Sequence, residues 1–222
     1  MKLEIACFNL ESALTAALSP ADRIELCAGF QHGGTTPSVQ DYLTVKKKTQ
    51  KPIYIMIRPR GGDFVYSPEE ITQMEDSIRV FAELGADGFV FGALDEEGNI
   101  DVENCQKLVA ACDGKPCSFH RAIDHTPDIE EAVRKVIKLG FSTILTSGHT
   151  SAAPKGIKVL KQLQEQFGNQ IDIMPGGGVR SSNIKELAEK VNAPYYHSSA
   201  IKQGSDLADD GEIKALKLAI EK

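Results

Sequence analysis

Two arginines one residue apart open the run Arg58-Pro59-Arg60-Gly61-Gly62-Asp63-Phe64, directly after the apolar stretch Ile53–Ile57. Guanidinium groups hold carboxylates and phosphates through paired N–H donors, so Arg58 and Arg60 are candidate anion ligands. The plainer alternative is an ion pair with Glu4 or Glu25, and a guanidinium paired on one side can still hold a ligand on the other. Phe119-His120-Arg121, with Asp124 shortly after, and His197-Ser198-Ser199 form two further polar clusters. An imidazole titrates near neutrality, which makes His120 and His197 candidate general acids or bases, or metal ligands. For each, the competing reading is a hydrogen-bonded core histidine. Arg58, His120 and Glu25 are the candidate catalytic set.

The string Met174-Pro175-Gly176-Gly177-Gly178-Val179-Arg180, with Ser181 and Ser182 at an expected helix start, adds a second anion-binding feature. Glycines let backbone N–H groups approach an anion closely, and a following helix would supply the positive end of its dipole. Gly176, Gly177, Gly178 and Ser198, with Ser199 beside it, therefore join the candidate anion site; a tight strand-to-helix turn is the other reading. Among five cysteines with no C-x-x-C pair, Cys27 stands apart at the end of an expected strand. An odd number without paired spacing fits neither a disulfide framework nor a structural zinc site. No strand-end lysine suggests a Schiff-base aldolase, and the chain lacks H-E-x-x-H, a Walker loop and G-x-S-x-G. Glu4 and Glu25 look too deep in their strands to act as a glycosidase pair.

These residues need a frame that brings strand ends together. Short apolar runs recur at Leu3–Cys7, Asp22–Leu26, Ile53–Ile57, Gly88–Phe91, Cys117–Phe119, Thr143–Thr146, Ile171–Met174 and Tyr195–His197. The intervals are too long for hairpins and carry helical patterns. Ser67-Pro68-Glu69-Glu70 reads as a capping box before Ile71, Met74, Ile78 and Phe81, and Thr126-Pro127-Asp128 opens a similar helix. Leu84-Gly85 and Leu139-Gly140 close these two helices and lead into similar strand-glycine segments. Eight strands alternating with helices predict an α/β fold, a single (β/α)8 TIM barrel over residues 1–222, with an open doubly wound sheet as the alternative. Residues at the C-terminal strand ends would then share one face. Alternation along a strand puts Arg58 and Arg60 on one side, expected to be the lumen, while Cys7 has the opposite parity to Glu4 and should face the helices.

The chain has 222 residues, 41% hydrophobic and 25% charged, which suits one folded domain. A net charge of −6, with Lys46-Lys47-Lys48 as the only basic run, argues against nucleic-acid binding. No stretch approaches ~18 apolar residues and the amino terminus lacks a signal-peptide core, so neither a membrane span nor export is expected and the cytoplasm is the expected location.

In order, Ala21-Asp22-Arg23-Ile24-Glu25-Leu26-Cys27, Gly33-Gly34-Thr35-Thr36-Pro37-Ser38, Met56 to Phe64, Phe119-His120-Arg121-Ala122, Leu145-Thr146-Ser147-Gly148, Met174 to Val179 and His197-Ser198-Ser199-Ala200 follow one another within residues 3–200. Together they resemble the signature blocks of the CutC family. The resemblance implies a TIM barrel, a cytoplasmic location and an association with copper homeostasis. Two departures stand out: Ser19-Pro20 replaces glycines usual before the second block, and His149 follows Ser147-Gly148 where another glycine is common. Two functions are carried forward. One is Cu(I) binding, with Cys27 the leading soft ligand and His120 and His197 as helpers, although one thiol beside two arginines is a poor cation site. The other is an enzyme acting on a small anionic substrate, with the arginines and glycine loop holding the anion and His120 moving protons. The partner is a copper ion or a small anion, and a homo-oligomer, a dimer, is the expected assembly.

Overall fold

In the computed structural model, which describes residues 1–221, eight strands alternate with eight helices. The strands are β1 (Lys2–Cys7), β2 (Arg23–Leu26), β3 (Ile53–Met56), β4 (Gly88–Phe91), β5 (Cys117–Phe119), β6 (Thr143–Thr146), β7 (Asp172–Pro175) and β8 (Tyr195–Ser198). The helices are α1 (Leu10–Leu18), α2 (Val39–Lys46), α3 (Pro68–Glu83), α4 (Val102–Ala111), α5 (Ile129–Lys138), α6 (Ile157–Phe167), α7 (Ile184–Val191) and α8 (Asp210–Ile220). All paired strands run parallel, in the order β7-β6-β5-β4-β3-β2-β1-β8, so the sheet curls into a nearly closed barrel. Between β7 and β8 the ring is closed by side chains: the Ser198 hydroxyl donates to the Val179 carbonyl at 2.7 Å. Gly176 makes this approach feasible, because a Cβ there would sit 2.3 Å from Leu145 Cδ1 and 3.2 Å from His197 Cβ.

Strand alternation sorts the residues into two cores. Leu3, Ile5, Cys7, Ile24, Leu26, Ile53, Ile55, Phe89, Phe91, Ile144 and Ile173 pack outward against the apolar stripes of the helices. A smaller inner group contains Cys27, Tyr54, Met56 and Val90. Helix starts follow local chemistry. Ser67 and Glu70 form the capping box of α3 around Pro68, and Asp128 caps α5 by accepting from the Glu130 and Glu131 N–H groups. No helix among the described residues is long and apolar enough to cross a membrane.

The register sets up the chemistry of the lumen. Glu4 on β1 lies opposite Arg23 on β2 and His197 on β8, and Ala6 lies opposite Glu25. A carboxylate is thereby flanked by two basic groups, one from each neighbouring strand.

Candidate active site at the barrel mouth

Arg23, deep in the lumen, donates through Nε to the Glu4 carboxylate and lies between the rings of Tyr54 and Tyr195, each centroid 4.2 Å from its Cζ. The other Glu4 oxygen meets His197 Nδ1 at 2.8 Å, and His197 Nε2 lies 3.7 Å from Glu25 Oε2. These groups form one buried line, Arg23–Glu4–His197–Glu25, ending at the cavity. Burial alone would raise the Glu4 carboxyl, but Arg23 and His197 outweigh it and hold Glu4 low. Glu25 lacks such a partner: burial pushes it up to about 7 against the pull of His197, and the charge of Glu4 adds to the rise. Burial disfavours the charged form of His197, yet Glu25 and Glu4 together raise it above the usual histidine range. Glu4, Glu25 and His197 can bring one ligand atom each within 4.8 Å of one another.

Above this line is a cavity of about 270 Å³, with Phe8, Phe30, Phe64, Met56 and Leu145 on its apolar walls. Glu25, Arg58, His120, Gly177, Gly178, His197 and Ser198 all line it. Two residues given no role of their own in the sequence reading, Arg121 and Arg180, line it as well. Arg121 follows His120, and alternation alone would send it outward; the 3-10 turn Arg121–His125 rotates it to the mouth. Its Nε donates to Asp124 at 2.9 Å and its Nη2 to Ser147 at 3.0 Å. Asp124 also accepts from Thr146 Oγ1, Ser147 and the His149 N–H, which ties the loops after β5 and β6 together. Arg180 donates to the Val179 carbonyl and the Ser198 hydroxyl.

Several sequence expectations change. Arg58 is buried at the mouth and pairs with neither Glu4 nor Glu25. Its Nη1 donates to the His32 and Gly34 carbonyls and its Nη2 to the Gly62 carbonyl, with the guanidinium 4.7 Å from the Phe64 ring centroid. Arg60 is not in the cavity. It turns outward to Glu70 and Asp63, because Pro59, Gly61 and Gly62 (φ 89°) end the extended chain on which the parity argument rested. The dipole expected directly behind the glycine run is displaced: α7 starts at Ile184, and the Ser181 N–H is satisfied by Glu212. Gly176 N–H belongs to the sheet ladder, bonding Thr146, whereas Gly177 and Gly178 N–H have no hydrogen-bond partner among the described residues. The Ser198 hydroxyl is occupied by Val179, Ala200 and Arg180, which makes it a positioning group. His149 has a positive φ of 61°, a conformation that favours glycine, and its Nε2 meets the Thr126 carbonyl instead of entering the cavity.

The copper expectation can be tested against the donors. Cys27, His120 and His197 are not gathered as a ligand set; the cluster with metal-ligand spacing among the described residues is Glu4, Glu25 and His197. Two carboxylates and an imidazole are hard or borderline donors, and Arg23 already neutralises one of them. The Cys27 thiol, buried and 3.6 Å from Glu25, is pushed well above its ordinary range by burial and by that carboxylate, so it stays protonated. These residues do not fit a Cu(I) cage.

His120 differs from His197. Its Nδ1 accepts the Ala122 N–H at 3.4 Å, its Nε2 is buried without a partner, and burial together with the Arg58 charge lowers it to about 3. It is a neutral imidazole at physiological pH.

The CutC family model matches residues 1–202. The chain is 46% identical to the human "Copper homeostasis protein cutC homolog" over 198 residues, 89% of this chain and 72% of the relative. It is 42% identical to a CutC family protein of Bacteroides thetaiotaomicron over 200 residues, 90% of this chain and 80% of the relative. A solved structure described as the putative copper homeostasis protein CutC from Streptococcus agalactiae superposes with a TM-score of 0.84 at 33% identity, covering 90% of this chain and 98% of that one. A 3-hexulose-6-phosphate synthase from Salmonella typhimurium, at TM-score 0.70 and 20% identity over 99% and 98% of the two chains, shares the barrel fold. With its family blocks matched across nearly the whole barrel and its relatives alike over most of their own length, the chain belongs to the CutC family.

Proposed function

We propose that this protein serves copper homeostasis, the role for which its relatives are named, through a small anionic organic molecule bound and processed at the barrel mouth. The copper role then runs through that molecule's chemistry and not through a thiolate cage. One observation carries the reading: Arg121, Arg180 and the free N–H groups of Gly177 and Gly178 border a cavity whose floor is the His197–Glu25 pair. Each N–H aimed at an anion adds a charge-assisted hydrogen bond. Gly177 suits this position, since its φ of 88° is a left-handed conformation that favours glycine. Glu25, held near neutrality, can accept or release a proton at pH 7, and His197, gripped by Glu4, keeps it oriented. The cytoplasm suits five free, buried cysteines that remain reduced.

Calorimetric titration with inorganic phosphate and small carboxylates tests the proposal. The parent should bind one anion, and Arg180→Ala should weaken it about tenfold or more, since a hydrogen bond to a charged group is worth roughly 1.5–3 kcal/mol. No anion binding by the folded parent would overturn it.

A further inference from the structure

Of six buried side-chain atoms without a hydrogen-bond partner among the described residues, three belong to this one cavity: Glu25 Oε1, Arg58 Nε and His120 Nε2. Buried polar groups are normally satisfied, so three orphans at one site specify what is missing. Because His120 Nδ1 accepts the Ala122 N–H, the proton of the neutral ring is on Nε2. His120 Nε2 is therefore a donor in need of an acceptor, as is Arg58 Nε, with the Tyr66 hydroxyl, itself without a partner among the described residues, the other group beside the Arg58 guanidinium. Glu25 Oε1 is an acceptor in need of a proton. Both donors belong to side chains packed on Phe64, whose ring centroid lies 4.8 Å from that of His120 and 4.7 Å from Arg58 Cζ. Phe64 stands on the loop after β3 and also lines the cavity, so it is a wall shared by the donors and the open space.

Resting on the reading of the mouth as an anion site, we propose that the ligand is a carbonyl compound with an anionic tail, and that the site stabilises its enolate. The tail sits at Arg121, Arg180 and the Gly177–Gly178 amides. The carbonyl oxygen accepts from His120 Nε2–H and Arg58 Nε–H, and Glu25 faces the adjacent carbon. In the step, the C–H bond breaks and its proton passes to the Glu25 carboxylate. The C–H electron pair becomes the new C=C bond, and the former carbonyl π pair moves onto oxygen, where the two donors hold it. No oxidant or reductant is required. A neutral imidazole suits this task because it gives a hydrogen bond to the developing oxyanion without placing another cation beside Arg58. The volume, about 270 Å³, is just below the ~300–1,000 Å³ of sites for drug-sized ligands. It suits a compound of a few carbons, of the hydroxycarbonyl phosphate or carboxylate class.

Three probes separate this inference from the anion reading: inorganic phosphate, glycerol phosphate, and phosphoglycolate, whose planar carboxylate mimics an enolate beside a phosphate tail. All three should bind the parent, phosphoglycolate at least tenfold more tightly than glycerol phosphate. In His120→Leu that preference should collapse to within about twofold while inorganic phosphate affinity is kept. His120→Gln, which retains an N–H donor, should recover part of it. Absence of phosphate binding would remove the anion reading and this inference with it. Phosphate binding with no preference for phosphoglycolate in the parent, or a preference that survives in His120→Leu, would overturn the enolate assignment alone. Long-range ¹H–¹⁵N NMR of the ligand-free protein is an independent check. His120 should appear neutral and Nε2-protonated from pH 6 to 8, and an imidazolium or Nδ1–H tautomer would refute the assignment.

Discussion

Replacing Arg58 by methionine keeps an unbranched apolar stem, shorter than that of arginine, and removes the guanidinium from its three carbonyl partners. Two of them, on His32 and Gly62, belong to exposed residues and can be rehydrated. The third, on Gly34, belongs to a buried residue and retains a desolvation cost of about 1–3 kcal/mol. Loss of the contact with Phe64 adds about 0.5–2 kcal/mol. The sum is about 1.5–5 kcal/mol, and in a chain of 222 residues each kcal/mol lowers Tm by about 2–4 °C. Thermal unfolding followed by circular dichroism at pH 7 should therefore show a fall of about 3–20 °C. Inorganic phosphate affinity should change less than about threefold, since the terminal nitrogens of Arg58 are committed to the loops after β2 and β3. Of the two readings the sequence left open for Arg58, the anion ligand implies the opposite result, a stable barrel with weak anion binding. An unchanged Tm together with tenfold weaker phosphate binding would show that the terminal nitrogens of Arg58 hold the anion instead of the loop carbonyls and would refute this assignment.

The raised carboxyl of Glu25 predicts a pH signature. Between about 4.5 and about 7 the folded protein retains a proton that the unfolded chain has released, so Glu25's contribution to stability is full at the acid end and declines as pH rises. The unfolding free energy of the parent minus that of Glu25→Gln should fall across this window, and a flat difference in paired denaturant titrations would contradict it. For copper, Cys27→Ser should leave Cu(I) stoichiometry and affinity unchanged in a competition titration with a chromogenic chelator, because Cys27, His120 and His197 are not gathered as a ligand set among the described residues; loss of a bound Cu(I) would restore Cys27 as a ligand.

The barrel is legible in the sequence because it depends on local periodicity and end signals. Each strand is found within about one residue of its apolar run, and Ser67-Pro68-Glu69-Glu70 forms the cap its spacing implies. Cys7 faces the helices, as its parity with Glu4 requires. Arg60 shows where such reasoning stops, since alternation holds only while the chain is extended and β3 ends at Met56. Arg121 and Arg180 were visible as residue types, but their directions depend on turns. The Arg23–Glu4 pair and the His197–Glu4 bond depend on the register between strands, and Glu4 and His197 are 193 residues apart in the chain. Nothing in a local pattern records which residue of β8 stands beside Glu4.

That register also gives the buried charges a direction. A buried ion pair is weak evidence for stability, because apolar residues of similar volume often do as well or better. In the lumen, however, the charges are graded. Arg23 is enclosed by two tyrosine rings, and Glu4 has a partner on each oxygen. Toward the mouth the pairing loosens: His197 holds Glu25 at 3.7 Å, and one Glu25 oxygen has no partner. The deep pair fixes a negative charge on Glu4, that charge helps raise both His197 and Glu25, and the group left near neutrality is the one that meets the cavity. Were the network only a structural filler, its unsatisfied atom would have no reason to stand at the open end, beside two further orphans on Arg58 and His120. A closed lower layer that sets the proton affinity of an open upper one accounts for both the cost of burial and its position.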